Sequence, residues 1–291
     1  MDIKEFLSRI KDLPTISSVA SEINLIEKKK SLTAKSLSEI INRDPALTAK
    51  VLRLANSAYY GVVREVSTLS RAVTVLGFDT IKNLALTISV FNVFNSTDEK
   101  AFDMQGLWGH SLGVGLAAKH LVSASSMSIG DRMLAEQAFV CGILHDIGKI
   151  AIARNFPDAM HDILDRVHSS DVPQHEIEKE ILGFNHQRVG QALANSWNFP
   201  EDYLTVIRLH HAPVATVISA NKRIMALVMG VYVGNRIAKS VPLGKSTDPY
   251  LEKVLPDALR KMGITTDALA GIIQNIKEDF GKMAQQLGAA K

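Results

Sequence analysis

The 291-residue chain has a net charge of only +3, with 46% hydrophobic and 22% charged residues, a balance typical of globular proteins and not of disordered ones. Cys141 is the only cysteine, which excludes an intramolecular disulfide framework and favours the cytoplasm. The N-terminal segment MDIKEFLSRIKDL has no apolar core of a signal peptide, and no run reaches the ~18 apolar residues of a membrane span. The only run of cations is Lys28–Lys30, so we expect neither a membrane nor a nucleic acid as partner.

Helix signals recur along the chain, and the alternating pattern of strands is nearly absent. Asp44-Pro45 predicts a helix start, because Asp caps a helix and Pro fits its first position. Ser67 or Thr68 can cap a second helix that ends at Gly77, and a longer helix is predicted at about 79–93. The sequence therefore predicts an all-α fold, a bundle of many helices.

Breaks in the helical pattern suggest how the chain is divided. A polar stretch at 95–98 separates an N-terminal helical lobe, about 1–97, from a second lobe, about 98–240. The segment 241–249 contains two prolines, a glycine and two hydroxyl residues, and we predict that it is a linker. A helical extension at 250–291 is expected to follow it.

The C-terminal extension contains an apolar stripe with helical spacing over nearly three heptads. The stripe consists of Leu269, Ile273, Ile276, Phe280, Met283 and Leu287. Thr265 or Thr266 can cap the start of this helix. Two interpretations stay open: the stripe docks onto the chain's own core, or it belongs to a detachable helix that contacts a partner, with a homodimer as one possible outcome.

Polar residues on the apolar faces of predicted helices are the candidate functional residues. They are His110, His186, His210 and Asn235. A single such histidine is usually a hydrogen-bonded core residue, but several buried imidazoles need polar partners, and a metal ion or one another can satisfy them. The pattern predicts one polar cluster inside the bundle, where bundles hold their metals. Four other histidines fall on polar faces or near loops: His120, His161, His168 and His175.

The segment HDIGK is the centre of this pattern. The adjacent His145 and Asp146, near a predicted helix end, can offer an imidazole nitrogen and a carboxylate oxygen to one cation. Gly148 would let the chain bend there, and Lys149 could hold a phosphate or neutralise the carboxylate. His210-His211 repeats the adjacent-ligand arrangement. Such mixed nitrogen and oxygen ligands suit Fe, Mn, Zn or Ni better than Ca.

HDIGK resembles the signature of HD-superfamily phosphohydrolases. The stretches INRDPALTAKVLRLANSAYYG, STLSRAVTVLGFDTIKNLAL, FNHQRVGQALANSWNFP and HHAP resemble the HDOD family more closely still. The resemblance covers about residues 8–240 and implies an HD-like helical bundle that serves as a regulatory or output module of bacterial signalling. It also implies a series of metal ligands related to that of the HD-GYP phosphodiesterases: His110, His145, Asp146, His186, His210 and His211, with Asn235 in the place of the last acidic ligand.

Two departures from the HD-GYP pattern bear on activity. Asn235 is a weaker, neutral ligand, and residues 212–214 (Ala-Pro-Val) replace the Glu and Gly-Tyr-Pro stretch of the cyclic-di-GMP hydrolases. We therefore expect a non-catalytic signalling module that binds a signalling protein or a phosphorylated small molecule. The alternative is a metal-dependent phosphohydrolase or phosphodiesterase acting on a nucleotide or phosphoester, with His145, Asp146 and Lys149 as catalytic candidates. A third interpretation is a structural bundle whose histidines bond only one another.

Overall fold

The structure is a computed structural model that describes residues 14–95, 102–128, 130–211, 221–241, 243–251 and 256–287. Over these ranges the secondary structure is helical and contains no strand, so the predicted all-α fold is confirmed. Most of the break predicted at 95–98, and the Ala-Pro-Val stretch at 212–214, lie outside the described residues. In chain order the helices are α1 (Ser18–Lys28), α2 (Ala34–Asn42), α3 (Pro45–Ala55), α4 (Leu69–Leu76), α5 (Phe78–Asn95), α6 (Met104–Ala124), α7 (Arg132–Leu144), α8 (Ile147–Asn155), α9 (Pro157–Ser169), α10 (Gln174–Leu182), α11 (His186–Ser196), α12 (Glu201–Leu209), α13 (Lys222–Ser240), α14 (Pro256–Met262) and α15 (Thr266–Gln286).

The predicted capping residues begin their helices as expected. The carboxylate of Asp44 accepts the backbone N–H of Leu47 at 2.9 Å, and Pro45 occupies the first position of α3. Thr68 caps α4 in the same way, and α4 ends where Gly77 takes a φ of 96°. These contacts satisfy backbone groups that a helix end leaves without partners.

The N-terminal helices share one hydrophobic core with the rest of the chain. Helix α5 makes this connection, because it packs on α3 and α4 and also on α6 and α7. No single helix of the described residues is long and apolar enough to cross a membrane. Helix α4 together with 78–94 meets the length and composition only as a pair bent by 120°.

The second half of the chain is organised around α6, which packs against α7, α13 and α15. A second contact joins α8 to α11, and α12 packs on α11 and α13. The ends of α7 and α12 and the starts of α8 and α11 meet in the interior beside the N-terminal half of α6. This arrangement positions the candidate site.

Helix α15 lies against α6, and its apolar stripe packs on the chain's own core, with three of its six residues buried. Ile276 and Met283 are fully buried, and Leu287 is 5% exposed. The indole N–H of Trp108 donates to the carbonyl of Leu287 at 3.3 Å. The geometry therefore favours the docking interpretation of the C-terminal helix.

Residues 243–250, which we call the strap, follow α13 and include most of the predicted linker. Leu243 is 2% exposed, and the backbone N–H of Lys245 donates to the carbonyl of Gly106 on α6 at 3.0 Å. Gly244 has a φ of 77°, and a Cβ there would come within 2.1 Å of the backbone of Gly109 and His110. Only glycine permits this contact, so the strap lies directly against the part of α6 that carries His110.

Candidate metal centre

Five of the predicted ligands meet in the interior. His110 comes from α6, His145 and Asp146 from the junction of α7 and α8, His186 from the start of α11, and His210 from the end of α12. None of them is more than 1% exposed. The ring centroid of His145 lies 5.4 Å from that of His110 and 5.1 Å from that of His210. The apolar-face histidines therefore form one buried polar cluster.

Backbone carbonyls fix the orientation of two of these rings. Nδ1 of His145 donates to the carbonyl of Gly142 at 2.7 Å, and Nδ1 of His210 donates to that of Ile207 at 2.7 Å. A carbonyl oxygen only accepts, so Nδ1 carries the proton in each ring. Nε2 is then left with a lone pair, the form in which an imidazole binds a metal.

The inner ring nitrogens lie close to one another and to the carboxylate of Asp146. Nε2 of His186 lies 3.1 Å from Oδ1 of Asp146 and 3.3 Å from Nε2 of His210. Nε2 of His145 lies 3.3 Å from Oδ2 of Asp146. Acceptors this close repel each other unless a proton or a cation lies between them.

Several buried polar atoms of the cluster have no hydrogen-bond partner among the described residues. They are both ring nitrogens of His110, Nε2 of His145, Oδ1 of Asp146, Nε2 of His211 and Oδ1 of Asn235. Buried polar atoms are rarely left in this state, because each costs about 1–3 kcal/mol. Two overlapping groups have ligand atoms within 4.8 Å of one another, His110 with His145 and Asp146, and Asp146 with the three histidines at 186, 210 and 211. This nitrogen and oxygen donor set fits a first-row transition metal.

Lys149 neutralises the carboxylate of the cluster. Its Nζ lies 2.8 Å from Oδ2 of Asp146, and the side chain is 1% exposed. Burial alone would raise the pKa of Asp146, but His145 and Lys149 outweigh it and hold that pKa well below its usual value. Burial lowers the pKa of Lys149, and the charge of Asp146 more than reverses the effect. Of the two roles open for Lys149, the described geometry shows charge compensation.

Burial sets the protonation state of His210 and His110. It lowers the pKa of His210 to about 3 and the pKa of His110 well below its usual value. These rings are therefore neutral near pH 7, as metal ligands must be. His186 differs: burial lowers its pKa, but the charges of Glu178 and Asp146 and the hydrogen bond to Glu178 raise it overall.

His211 and Asn235 lie at the edge of the cluster. The ring of His211 is half-buried and stacks on that of His175 with centroids 4.3 Å apart. Asn235 is 3% exposed on α13. Both line a cleft of about 10 Å³, together with Arg236, Lys239, Asp248 and Tyr250.

Two residues of the site were not predicted. Glu178 on α10 is fully buried, and its Oε2 accepts hydrogen bonds from Nδ1 and the backbone N–H of His186 at 2.6 and 2.7 Å. His175, which we expected on a polar face, is only 8% exposed and covers His211. The sequence around both, QHEIEKE, has the composition of a solvated helix face. The only signal for Glu178 was its place on one face with Gln174 and Leu182.

The prediction that Gly148 permits a bend was wrong. Gly148 lies inside α8, and the chain turns before it, at His145 and Asp146 between α7 and α8. A Cβ on Gly148 would lie 2.0 Å from the carbonyl oxygen of His186 and 2.6 Å from the backbone nitrogen of Gly190. Glycine therefore lets α8 and α11 touch backbone to backbone, which brings Asp146 to His186.

Comparisons with known proteins agree with this architecture. The family model described as the HDOD domain matches residues 13–213. A curated relative, an uncharacterized protein of Treponema pallidum (strain Nichols), is 28% identical over 203 residues, which are 70% of this chain and 38% of that protein. The chain thus spans well under half the length of this relative.

Two solved structures cover nearly the whole chain. An HDOD domain protein with unknown function from Geobacter sulfurreducens has a TM-score of 0.78 and 23% identity, covering 97% of this chain and 96% of that one. A protein from Shewanella amazonensis SB2B, described as a candidate phosphohydrolase, has a TM-score of 0.73 and 26% identity, covering 97% of both chains. The family match over 13–213, with the shared fold, shows that this chain belongs to the HDOD domain family.

Proposed function

We propose that this chain is a regulatory module of bacterial signalling that works in the cytoplasm, binds a divalent transition metal in its buried cluster and does not hydrolyse phosphoesters. The observation that carries the proposal is the cluster itself, in which donor atoms of His110, His145 and Asp146 lack partners among the described residues while these side chains are at most 1% exposed. Donors arranged in this way suit a tightly held metal. The module then acts through a signalling protein that recognises its surface.

The residues of the cluster would contribute to metal binding in different ways. His145, Asp146, His186 and His210 supply the nearest donors, and His110, His211 and Asn235 supply further ones. When bound, the metal supplies positive charge and Lewis acidity at this point. Lys149 already balances the charge of Asp146, so the site does not depend on the metal to offset that carboxylate.

Access argues against catalysis on a phosphoester. The cleft that the described residues form beside His211 and Asn235 measures about 10 Å³, roughly one water molecule. Pockets that bind small organic substrates are usually about 300 Å³ or more. Lys149, the candidate for holding a phosphate, is buried and paired with Asp146. Asn235 adds no negative charge to a metal at this site.

The alternative function, a metal-dependent phosphohydrolase or phosphodiesterase, is favoured by one specific feature. His145, Asp146 and Lys149 are intact and in contact, and they are the catalytic candidates. The structural neighbour described as a candidate phosphohydrolase supports the same alternative.

A hydrolysis assay separates the two functions. Metal-supplemented protein is incubated with bis(p-nitrophenyl) phosphate and with a cyclic dinucleotide, beside the His145→Ala variant. The proposal predicts no turnover above the rate of the variant. Robust hydrolysis that requires both metal and His145 would establish the enzyme instead.

A further inference from the structure

A chain of hydrogen bonds, buried at Glu178 and Gln174 and half-buried at Thr247, leads from the cluster to the strap. It begins at His186, whose Nδ1 donates to Oε2 of Glu178 at 2.6 Å. The other oxygen of Glu178 accepts from Nε2 of Gln174 at 2.9 Å, and Oε1 of Gln174 accepts from the hydroxyl of Thr247 at 2.7 Å. Glu178 and Gln174 are both fully buried.

The buried carboxylate of Glu178 calls for a functional explanation. Burying a charge is costly unless it is paired, and a hydrophobic residue of similar size usually fits such a place as well. Its partners are the ring and backbone N–H groups of His186 and the amide of Gln174. A carboxylate on the outer nitrogen of a histidine fixes the ring and makes its inner nitrogen a better metal donor.

The strap touches the same cluster at other points. Gly244 lies against the backbone of His110. Asp248 is 1% exposed, and its carboxylate accepts from Nζ of Lys239 at 2.8 Å. Asp248 also lines the cleft beside Asn235. The strap therefore closes over the cluster while Thr247 is bonded, through two side chains, to His186.

We infer that Glu178 is the positioning residue of the metal site, and that the link through Gln174 to Thr247 couples metal occupancy to closure of the strap. The inference rests on the proposed metal site. Coupling between two equilibria is reciprocal, so bound metal stabilises the closed strap, and the closed strap raises metal affinity by the same factor.

The first test changes the charge of Glu178 and keeps its shape. Metal-stripped wild type, Glu178→Gln and Glu180→Gln are titrated with Zn²⁺ and with Mn²⁺, and the melting temperature of each stripped protein is measured. Glu180 is the matched control, because it lies on the same helix and is exposed. We expect Glu178→Gln to lose metal affinity by about tenfold or more, and Glu180→Gln to match wild type.

The outcomes separate this inference from the proposed function. If wild type binds neither metal, the proposed function fails and this inference with it. If wild type and Glu178→Gln bind with equal affinity, the metal site stands and the positioning role is wrong. A lower melting temperature of the stripped variant with unchanged affinity would show that Glu178 is only structural.

The second test examines the coupling between metal binding and strap closure with a variant that leaves Glu178, Gln174 and the metal ligands unchanged. Thr247→Val removes the hydroxyl that reaches Gln174, and Lys245→Ala is a control in the same segment, with a side chain that is 76% exposed. We expect Zn²⁺ to slow amide hydrogen exchange of residues 243–250 in wild type and in the control. In Thr247→Val this slowing should largely vanish, and metal affinity should fall by about fivefold. Unchanged affinity together with unchanged slowing would overturn the coupling.

Discussion

The contact between α8 and α11 can be tested with a single added methyl group. In Gly148→Ala the new Cβ would lie 2.0 Å from the carbonyl oxygen of His186, where an ordinary contact needs at least 3.4 Å. The opposing atoms are backbone, so no side chain can rotate away. The two helices must separate by about 1.4 Å, and His186 must move away from Asp146.

The magnitude follows from two opposing effects. Overpacking a core lowers the free energy of unfolding by about 3 kcal/mol at the upper end of its usual range. The better helix propensity of alanine offsets about 1 kcal/mol of this loss. The net loss is about 2 kcal/mol, which corresponds to a fall in melting temperature of about 4–8 °C for a chain of this size. Metal affinity should fall as well, because one ligand is displaced.

The control for this prediction is Gly271→Ala. Gly271 is exposed on α15 and has no neighbour within 4 Å of an added Cβ, so alanine should stabilise the protein slightly. Thermal melts and metal titrations of both variants are compared with wild type. If Gly148→Ala is as stable as wild type and binds metal equally well, the backbone contact at His186 is not as described.

Ile276→Ala, on the buried face of α15, should cost about 2–5 kcal/mol in a denaturant melt, and an unchanged midpoint would show that this helix does not dock on α6. The metal-stripped protein should lose stability as the pH falls from about 6.5 towards 3. The reason is that His210 is protonated near its ordinary pKa in the unfolded chain, whereas burial lowers its pKa in the folded chain to about 3. Chemical denaturation at several pH values in this range measures the free energy of unfolding, and a free energy that does not change with pH would contradict this prediction. Asn235→Asp should tighten metal binding by about tenfold by adding a charged oxygen near the cluster, and weaker binding in a titration would place residue 235 outside the coordination sphere.

Local signals in the sequence were sufficient for the helical fold and for the core of the cluster. Caps such as Asp44 and Thr68 act on backbone groups three residues away, so their role can be deduced from the sequence alone. The histidines at 110, 186 and 210 could be predicted to meet, because a polar residue on an apolar helix face must find a partner in the interior.

The remaining features depend on which elements pack together. Glu178 sits among charged residues, and only the approach of α11 makes it a buried partner of His186. In the sequence, a glycine at position 148 is as compatible with a bend as with a close helix contact. Only the packing of α11 against α8 distinguishes the two. The strap likewise has the proline and glycine content of a linker, although it packs on α6. The roles of Glu178, Gly148 and the strap depend on tertiary contacts, which cannot be deduced from local sequence propensity.

Metal analysis of freshly purified, tag-free protein tests directly whether the buried cluster binds a transition metal. Wild type and His145→Ala are expressed in medium supplemented with Fe, Mn, Zn and Ni, and metal content and melting temperature are measured before and after chelation. We expect about one equivalent or more of a first-row metal in wild type, its loss in His145→Ala, and a lower melting temperature after chelation. Less than about a tenth of an equivalent in wild type, with equal stability before and after chelation, would contradict it.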